Sequence, residues 1–236
     1  MTRPIKSIVV LTGAGISAES GINTFRAKEG LWENHQIEDV ATPEGFARNP
    51  QLVHYFYNAR RQQLMHPTVR PNPAHSALAK LEREFPGQVL LVTQNVDNLH
   101  ERAGSKNLIH MHGELMKMRC ETSQLVFDSD PELSFDSICR CCAVPGNLRP
   151  DIVWFGEMPM QMQRITQALE NCDLFLSIGT SGNVYPAANF YQSAKSHGAY
   201  TVELNLEQTD SHFDEHIYGE ASRIVPEYVE QLLRLS

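Results

Sequence analysis

The apolar positions of this chain fall into short continuous runs separated by longer amphipathic stretches. Ser7-Ile8-Val9-Val10-Leu11 is the first run. Val89-Leu90-Leu91-Val92-Thr93, Leu174-Phe175-Leu176-Ser177-Ile178 and Tyr200-Thr201-Val202-Glu203-Leu204 follow it. Short apolar, β-branched runs without polar alternation predict strands buried on both faces, as in a parallel sheet. Helical patterns lie between them. Thr42-Pro43-Glu44 and Asn49-Pro50 are N-cap signals with proline at the first helical position. The helix opened by Asn49-Pro50 carries Val53, Tyr57, Arg60 and Leu64 on one stripe. Pro71-Asn72-Pro73 breaks the chain, and Ala74 to Glu84 predicts a helix with Leu78 and Leu81 inward. Further helices are expected from about Met160 to Glu170 and from Tyr185-Pro186 to about His197. Ser222-Arg223-Ile224-Val225 reads as a last short strand, with Pro226 opening the closing helix. Alternating strands and helices predict an α/β fold, a Rossmann-like doubly wound parallel sheet.

The stretch from Met118 to about Asp151 breaks this pattern. It is poor in long apolar runs, rich in Ser and Asp, and holds four cysteines. It predicts a small inserted module over about 118–151, beside a helical insert over about 41–69. The large Rossmann-like part then comprises about 1–40, 70–117 and 152–236, all within one domain spanning 1–236. Cys139-x-x-Cys142 is one zinc knuckle, but Cys120 is followed at that spacing by Ser123. A tetrahedral structural zinc needs four ligands, and Cys120, Cys139 and Cys142 supply three. Recruitment of Cys141 and a metal-free loop both remain open. The odd total of five cysteines suits a metal or reduced thiols better than a disulfide scaffold.

Composition narrows the partners. At 236 residues, with 42% hydrophobic and 20% charged residues, the chain is long and apolar enough for one sizeable core. A formal net charge of −8 gives no reason to expect a nucleic-acid partner. No apolar h-region precedes the first strand and no run approaches a membrane span. The expectation is a soluble, cytoplasmic protein without a membrane partner.

Candidate chemistry collects where the predicted strands end. Gly13, Gly15 and Ala18 fit G-x-G-x-x-A after the first strand, an arrangement that brings backbone N–H groups and a helix start against a pyrophosphate. The acidic residue expected about twenty positions on is missing, which argues against an ordinary hydride-transfer enzyme. Gln94-Asn95-Val96-Asp97-Asn98 places four amide or acid side chains at the end of the next strand. Gly179-Thr180-Ser181-Gly182 is a second small-residue turn, suited to phosphate. Asn205-Leu206-Glu207 puts a carboxylate where ribose hydroxyls can donate to it. His110 and His112 share a face if the segment is extended, and His112, beside Gly113, is the better catalytic candidate. Arg60 is a permanent cation on a stripe otherwise built for burial. Either it snorkels or pairs with a carboxylate, or it joins Tyr57 in receiving an anionic group.

Taken together these residues resemble the sirtuin family of NAD-dependent protein-lysine deacylases. The resemblance rests on Gly13-Ala14-Gly15-Ile16-Ser17 with Gly21-Ile22 and Phe25-Arg26, and on Thr93-Gln94-Asn95-Val96-Asp97. It continues through His110-Met111-His112-Gly113, Val153-Trp154-Phe155-Gly156-Glu157, Gly179-Thr180-Ser181 and Asn205-Leu206-Glu207. Tyr57-x-x-Arg60 is similar to the class III branch, which includes bacterial deacylases and desuccinylases. The resemblance implies removal of acetyl, succinyl and malonyl groups from lysines on proteins, yielding nicotinamide and 2′-O-acyl-ADP-ribose. ADP-ribosyl transfer to a protein nucleophile, which shares the first half of that mechanism, is the alternative. The resemblance gives His112 the role of general base. Gly13, Ala14, Gly15, Thr180 and Ser181 are implied at the NAD diphosphate, Gln94 at the ribose, Asn95 and Asp97 at the carboxamide, and Asn205 and Glu207 at the adenosine. Phe25 is implied as the cover over the reacting face. Ser17, Ala18, Gly21, Arg26, Trp32, Val96, Gly179, Leu206 and Ala221 complete the implied cofactor contacts. Val153, Phe155, Gly156 and Val184 are implied in binding the substrate peptide, and Tyr57 and Arg60 in binding the acyl group. The family's zinc is structural, and Ser123 stands where its second knuckle cysteine is expected.

Overall fold

A computed structural model describes residues 4–22, 31–32, 35–209 and 211–235. Strand β1 (Ser7–Thr12) leads into a one-turn helix, α1 (Gly15–Ala18). A short pair, β2 (Leu31–Trp32) and β3 (His35–Gln36), precedes α2 (Ile37–Val40), α3 (Pro43–Arg48) and α4 (Pro50–Met65). Next come α5 (Pro73–Glu84), β4 (Gln88–Thr93), α6 (Leu99–Ala103) and β5 (Leu108–His110). β6 (Gly113–Cys120), β7 (Val126–Asp128) and β8 (Leu148–Ile152) build a separate sheet. α7 (Met162–Asn171), β9 (Leu174–Ile178), α8 (Phe190–Ser196), β10 (Tyr200–Asn205), β11 (Glu215–Tyr218) and α9 (Ala221–Leu235) follow.

Six strands form one parallel sheet in the order β11-β10-β9-β1-β4-β5. Both its faces are covered, which is why its strands lack polar alternation. Ile8 and Val10 of β1 pack with Leu78 and Leu81 of α5 and Val225 and Val229 of α9. Val9 and Leu11 face the other way, toward Ile165 and Leu169 of α7 and Phe190 and Ala194 of α8. Each such side chain removed from water contributes about 1.5–3 kcal/mol, so these two layers hold the domain together. From β1 the chain winds one way through β4 and β5 and later the other way through β9, β10 and β11. The reversal falls between β1 and β9, and the crevice beyond their carboxyl ends is where sheets of this kind take ligands.

Several local expectations change. The predicted strand Ser222–Val225 is the first turn of α9, which runs through Pro226. Ile224, Val225, Tyr228, Val229 and Leu232 form one buried helical stripe, and burying it outweighs the hydrogen bond lost at proline. The last strand is Glu215–Tyr218 instead. The helix expected from Tyr185 begins as a 3-10 turn at Ala187–Asn189 before α8. α1 is a single turn, so the first glycine loop does not feed a long helix.

The cysteine-rich segment forms an antiparallel sheet, β7-β6-β8, over a small core of Met118, Cys120, Leu133, Cys139 and Leu148. It is sewn to α4: Asn58 Nδ2 donates to Leu133 O at 2.9 Å, and Leu133 N returns a bond to Asn58 Oδ1 at 3.0 Å. Arg61 crosses the same junction, donating to Asn58 Oδ1 and, at 3.4 Å, to Leu115 O. The wholly buried cation of α4 is therefore Arg61, whereas Arg60 is half-buried at the rim. Burial, and then the Arg61 charge, lower His54 to about 4. Among the described residues no helix is long and apolar enough to cross a membrane.

Candidate functional site

Two glycine turns interlock at the reversal between β1 and β9. Gly13 N donates to Ile178 O at 3.0 Å, and Gly15 N donates to Gly179 O at 2.9 Å. A Cβ on Gly15 would lie 2.8 Å from Gly179 Cα, and one on Gly179 would lie 2.5 Å from Ile16 N. The glycines are needed because two backbones touch. The Gly13 and Gly15 N–H groups are spent on the second turn and the Gly179 N–H on Leu204 O, so this loop offers close approach more than donors. Thr180 Oγ1 meets Ser177 Oγ at 3.1 Å, and Asn205 Nδ2 donates to Thr180 O at 2.9 Å, tying β10 to the second turn. Ser181, Leu206 and Glu207 are exposed around this turn, and Ala221 opens α9. A narrow pocket opens beside it, lined by Gln94, Ser177, Thr180 and Val184 among others.

Ser17 is the hub of the buried polar side. Its Oγ donates to Asp97 Oδ2 at 3.0 Å and accepts from Asn95 Nδ2 at 3.2 Å. Asn95 Nδ2 also donates to Gly13 O at 3.1 Å, and Leu99 N donates to Asp97 Oδ1 at 3.0 Å. The loop after β4 is thereby pinned to the loop after β1. Asn95 and Asp97 are both buried, and burial raises the Asp97 carboxyl despite the Leu99 and Ser17 hydrogen bonds.

The two histidines have different partners. His110 places Nδ1 3.1 Å from Asn95 O and Nε2 2.6 Å from Glu101 Oε1. His112 places Nδ1 3.1 Å from Gln94 O, and burial lowers its pKa below the ordinary value, against the effect of that bond. Among the described residues no protein group bonds its Nε2. Val153 N donates to His112 O at 2.9 Å, and Phe155 N to Ala41 O at 2.9 Å, so the next segment starts against the histidine. Trp154 is clamped there. Arg149 lies 3.4 Å from its ring, and Glu157 accepts its backbone N–H at 2.8 Å and two Arg149 bonds at 2.7 and 2.9 Å. Beyond it Phe155 and Gly156 are exposed, facing solvent like Tyr185 beside Val184.

Tyr57 is wholly buried, and its hydroxyl accepts from Trp154 Nε1 at 2.9 Å. Arg60, one turn on, lays its guanidinium 5.1 Å from the Phe56 ring. Trp32 packs edge-on against Phe56 and Tyr57, so it joins this aromatic group. Ala14 and Ala18 bound α1, and Gly21, three residues beyond it, has φ +87°. Val96 is half-buried between Asn95 and Asp97. Phe25 and Arg26 lie outside the described residues.

The fold brings a fourth cysteine, Cys141, to the other three. The Sγ atoms of Cys120, Cys139, Cys141 and Cys142 all lie within 4.8 Å of one another. Ser123 borders this group, its Oγ 3.2 Å from Cys141 Sγ and its N–H donating to Cys120 Sγ at 3.4 Å. Hydrogen bonds from its side chain and its backbone pull the Cys120 thiol down to about 6. Four close sulfurs with N–H donors around them suit one tetrahedral thiolate-bound zinc. Metal analysis of the purified protein is expected to find one zinc per chain, and Cys141→Ser is expected to lower both zinc content and melting temperature. Full zinc in Cys141→Ser would remove Cys141 from the ligand set.

A parallel sheet whose reversal point carries glycine turns, amides and an acid defines a dinucleotide-type site. The family profile described as Sir2 family matches residues 13–186. A Vibrio vulnificus protein named NAD-dependent protein deacylase is 60% identical over 235 residues, 99% of this chain and 96% of that protein. Its namesake from Salmonella typhimurium is 61% identical over 229 residues, 96% of this chain and 84% of that protein. A solved Sir2 homologue–NAD complex superposes with a TM-score of 0.87 at 39% identity, covering 98% of this chain and 91% of that one. Sir2Af2 bound to a myristoylated histone peptide superposes with a TM-score of 0.76 at 35% identity, covering 98% and 92%. This chain belongs to the Sir2 family.

Proposed function

We propose that this chain is an NAD-dependent protein-lysine deacylase acting on acetyl-, succinyl- and malonyl-lysine. The observation that carries the reading is a single constellation. Interlocked glycine turns, the Ser17–Asn95–Asp97 cluster and a histidine whose Nε2 has no partner among the described residues gather beyond the carboxyl ends of β1, β9, β4 and β5. The relatives' names supply the reaction class.

Bound NAD supplies a glycosidic bond whose leaving group, nicotinamide, is already cationic. Asn95 and Asp97 hold the carboxamide end, and Gln94 holds the ribose. The bare backbones of Gly13, Gly15 and Gly179, with Ala14, Thr180 and Ser181, admit the diphosphate, and Asn205 and Glu207 hold the adenosine. His112 Nε2 takes a proton from a ribose hydroxyl, which its neutral form, fixed by Nδ1–H donation to Gln94 O, is poised to do. The acylated peptide adds as a strand between Phe155-Gly156 and Gly182-Asn183-Val184, chiefly through backbone bonds. Tyr57 and Arg60 receive the carboxylate of succinyl or malonyl groups.

The test is parallel kinetics on acetylated and succinylated versions of one peptide, with and without NAD, products weighed by mass spectrometry. Unmodified lysine with acyl-ADP-ribose is expected, whereas a peptide gaining ADP-ribose would point to transferase chemistry. Arg60→Met is expected to lower desuccinylation about ten- to hundredfold more than deacetylation, as losing a charge-assisted contact of roughly 1.5–3 kcal/mol requires. Equal losses on both acyl groups would make Arg60 structural.

A further inference from the structure

The His110 ring lies between two acceptors. Asn95 O is a carbonyl and can only accept, at 3.1 Å from Nδ1. Glu101 Oε1, at 2.6 Å from Nε2, belongs to a carboxyl that burial pushes up but the His110 hydrogen bond and charge hold below the ordinary value. Near neutral pH it too can only accept. A neutral imidazole has one N–H to give and an imidazolium has two, so only the charged ring satisfies both neighbours. His112, two residues on, contacts one acceptor and needs one proton. We infer that Glu101 and His110 form a positioning pair. Charged His110, held by Glu101, pins the Asn95 carbonyl and with it the Asn95–Asp97 loop in the geometry that takes NAD.

The pair reaches the loop through one atom, because the Asn95 whose carbonyl His110 holds also sends its side chain to Gly13 O and Ser17 Oγ. Loss of the ring proton takes the histidine donor from either Asn95 O or the Glu101 carboxylate. The groups facing His110 are Glu101 and His100 from α6, Asp97 from the loop, and Glu114 from β6 with its partner Lys117. Burial works against the charge on His110, but the Glu101 bond and charge, then Glu114, outweigh it and raise its pKa. A raised pKa places the effect on the alkaline side. The pinned state is complete below the ordinary histidine value and is lost as pH rises through the raised one. Asp97, buried near this cation, loses a favourable neighbour at the same step.

This inference rests on the deacylase reading, so its test has one arm that does not. In the full-length protein, ¹⁵N-histidine NMR is expected to show both His110 nitrogens protonated at pH 7, with the Val96 amide following their titration. A His110 carrying one proton at pH 7 overturns the proposal whatever the activity. In the kinetic arm, the KM for NAD on an acetylated peptide is expected to climb about tenfold per pH unit above the His110 pKa, with kcat little changed. His110→Asn keeps one N–H toward Asn95 O but cannot titrate, and its KM for NAD is expected to stay flat there. Glu101→Gln is expected to move the alkaline rise to lower pH. An unchanged alkaline rise in His110→Asn overturns the proposal. No NAD-dependent turnover in the unmodified protein at any pH would sink the deacylase reading instead and leave the NMR result standing.

Discussion

His112→Ala is expected to abolish deacylation, lowering kcat at least 10²- to 10⁴-fold, the range for losing a positioned general base, while NAD affinity changes less than about threefold. The two effects separate because they rest on different atoms. In the proposed site NAD is held by the interlocked turns and by Asn95, whose bonds run to Gly13 and Ser17. His112 is held from elsewhere. Met111 before it is wholly buried, and Gly113 after it turns at φ +84° into β6. A Cβ at Gly113 would lie 2.0 Å from Asp151 O, so the chain leaves the histidine by a fixed route. Burial lowers the His112 pKa, so its neutral, proton-accepting form is present at lower pH than for an ordinary histidine. In the unmodified protein kcat/KM should therefore rise with pH through a value below 6.5. Calorimetric NAD titration beside turnover assays checks the pair of effects. Surviving turnover in His112→Ala would give the proton transfer to another group. Lost NAD binding would make His112 a structural pin.

How far this site could be read in advance depended on whether a feature is local in sequence. The buried strands were legible because coverage on both faces leaves them uniformly apolar, as Val9 and Val10 show by facing opposite layers. Thr42 and Asn49 cap their helices through side-chain bonds to Gly45 N and Leu52 N, chemistry that the Thr-Pro and Asn-Pro pairs announce. Ile224-Val225 misled because a β-branched pair suits either state, and only the stripe continuing through Tyr228 and Leu232 decides for helix. Arg60 and Arg61 could not be ranked from one helix alone. Arg61 is buried by partners at Asn58 and Leu115, the second of them on β6. Spacing alone leaves Cys141 open, because it favours Cys139-x-x-Cys142, whereas the fold brings all four sulfurs together. The Glu101–His110 pair had no sequence signal, since the contact needs α6 to fold back across β5.

Gly179→Ala is expected to cost about 2–5 kcal/mol of stability and to weaken NAD binding more than tenfold. Gly179 has φ +60°, a conformation that costs an L side chain roughly 1–2 kcal/mol. Its Cβ would also meet Ile16 N at 2.5 Å, Gly15 C at 2.8 Å and Gly15 Cα at 2.9 Å. All three are backbone, so no side chain can swing away. The first turn must move, adding about 1–3 kcal/mol of overpacking. Moving it breaks the Gly15 N to Gly179 O bond and shifts Gly13, whose carbonyl anchors Asn95. Stability and NAD affinity therefore fall together. Gly198→Ala separates strain from contact: Gly198 has φ +94° but nothing within 4 Å of a Cβ. That variant should lose roughly 1–2 kcal/mol and keep its NAD affinity. Thermal unfolding with NAD titration on both variants decides the matter. If Gly179→Ala loses no more than Gly198→Ala, the touching backbones do not shape the cofactor cradle, and the glycines answer only to local conformation.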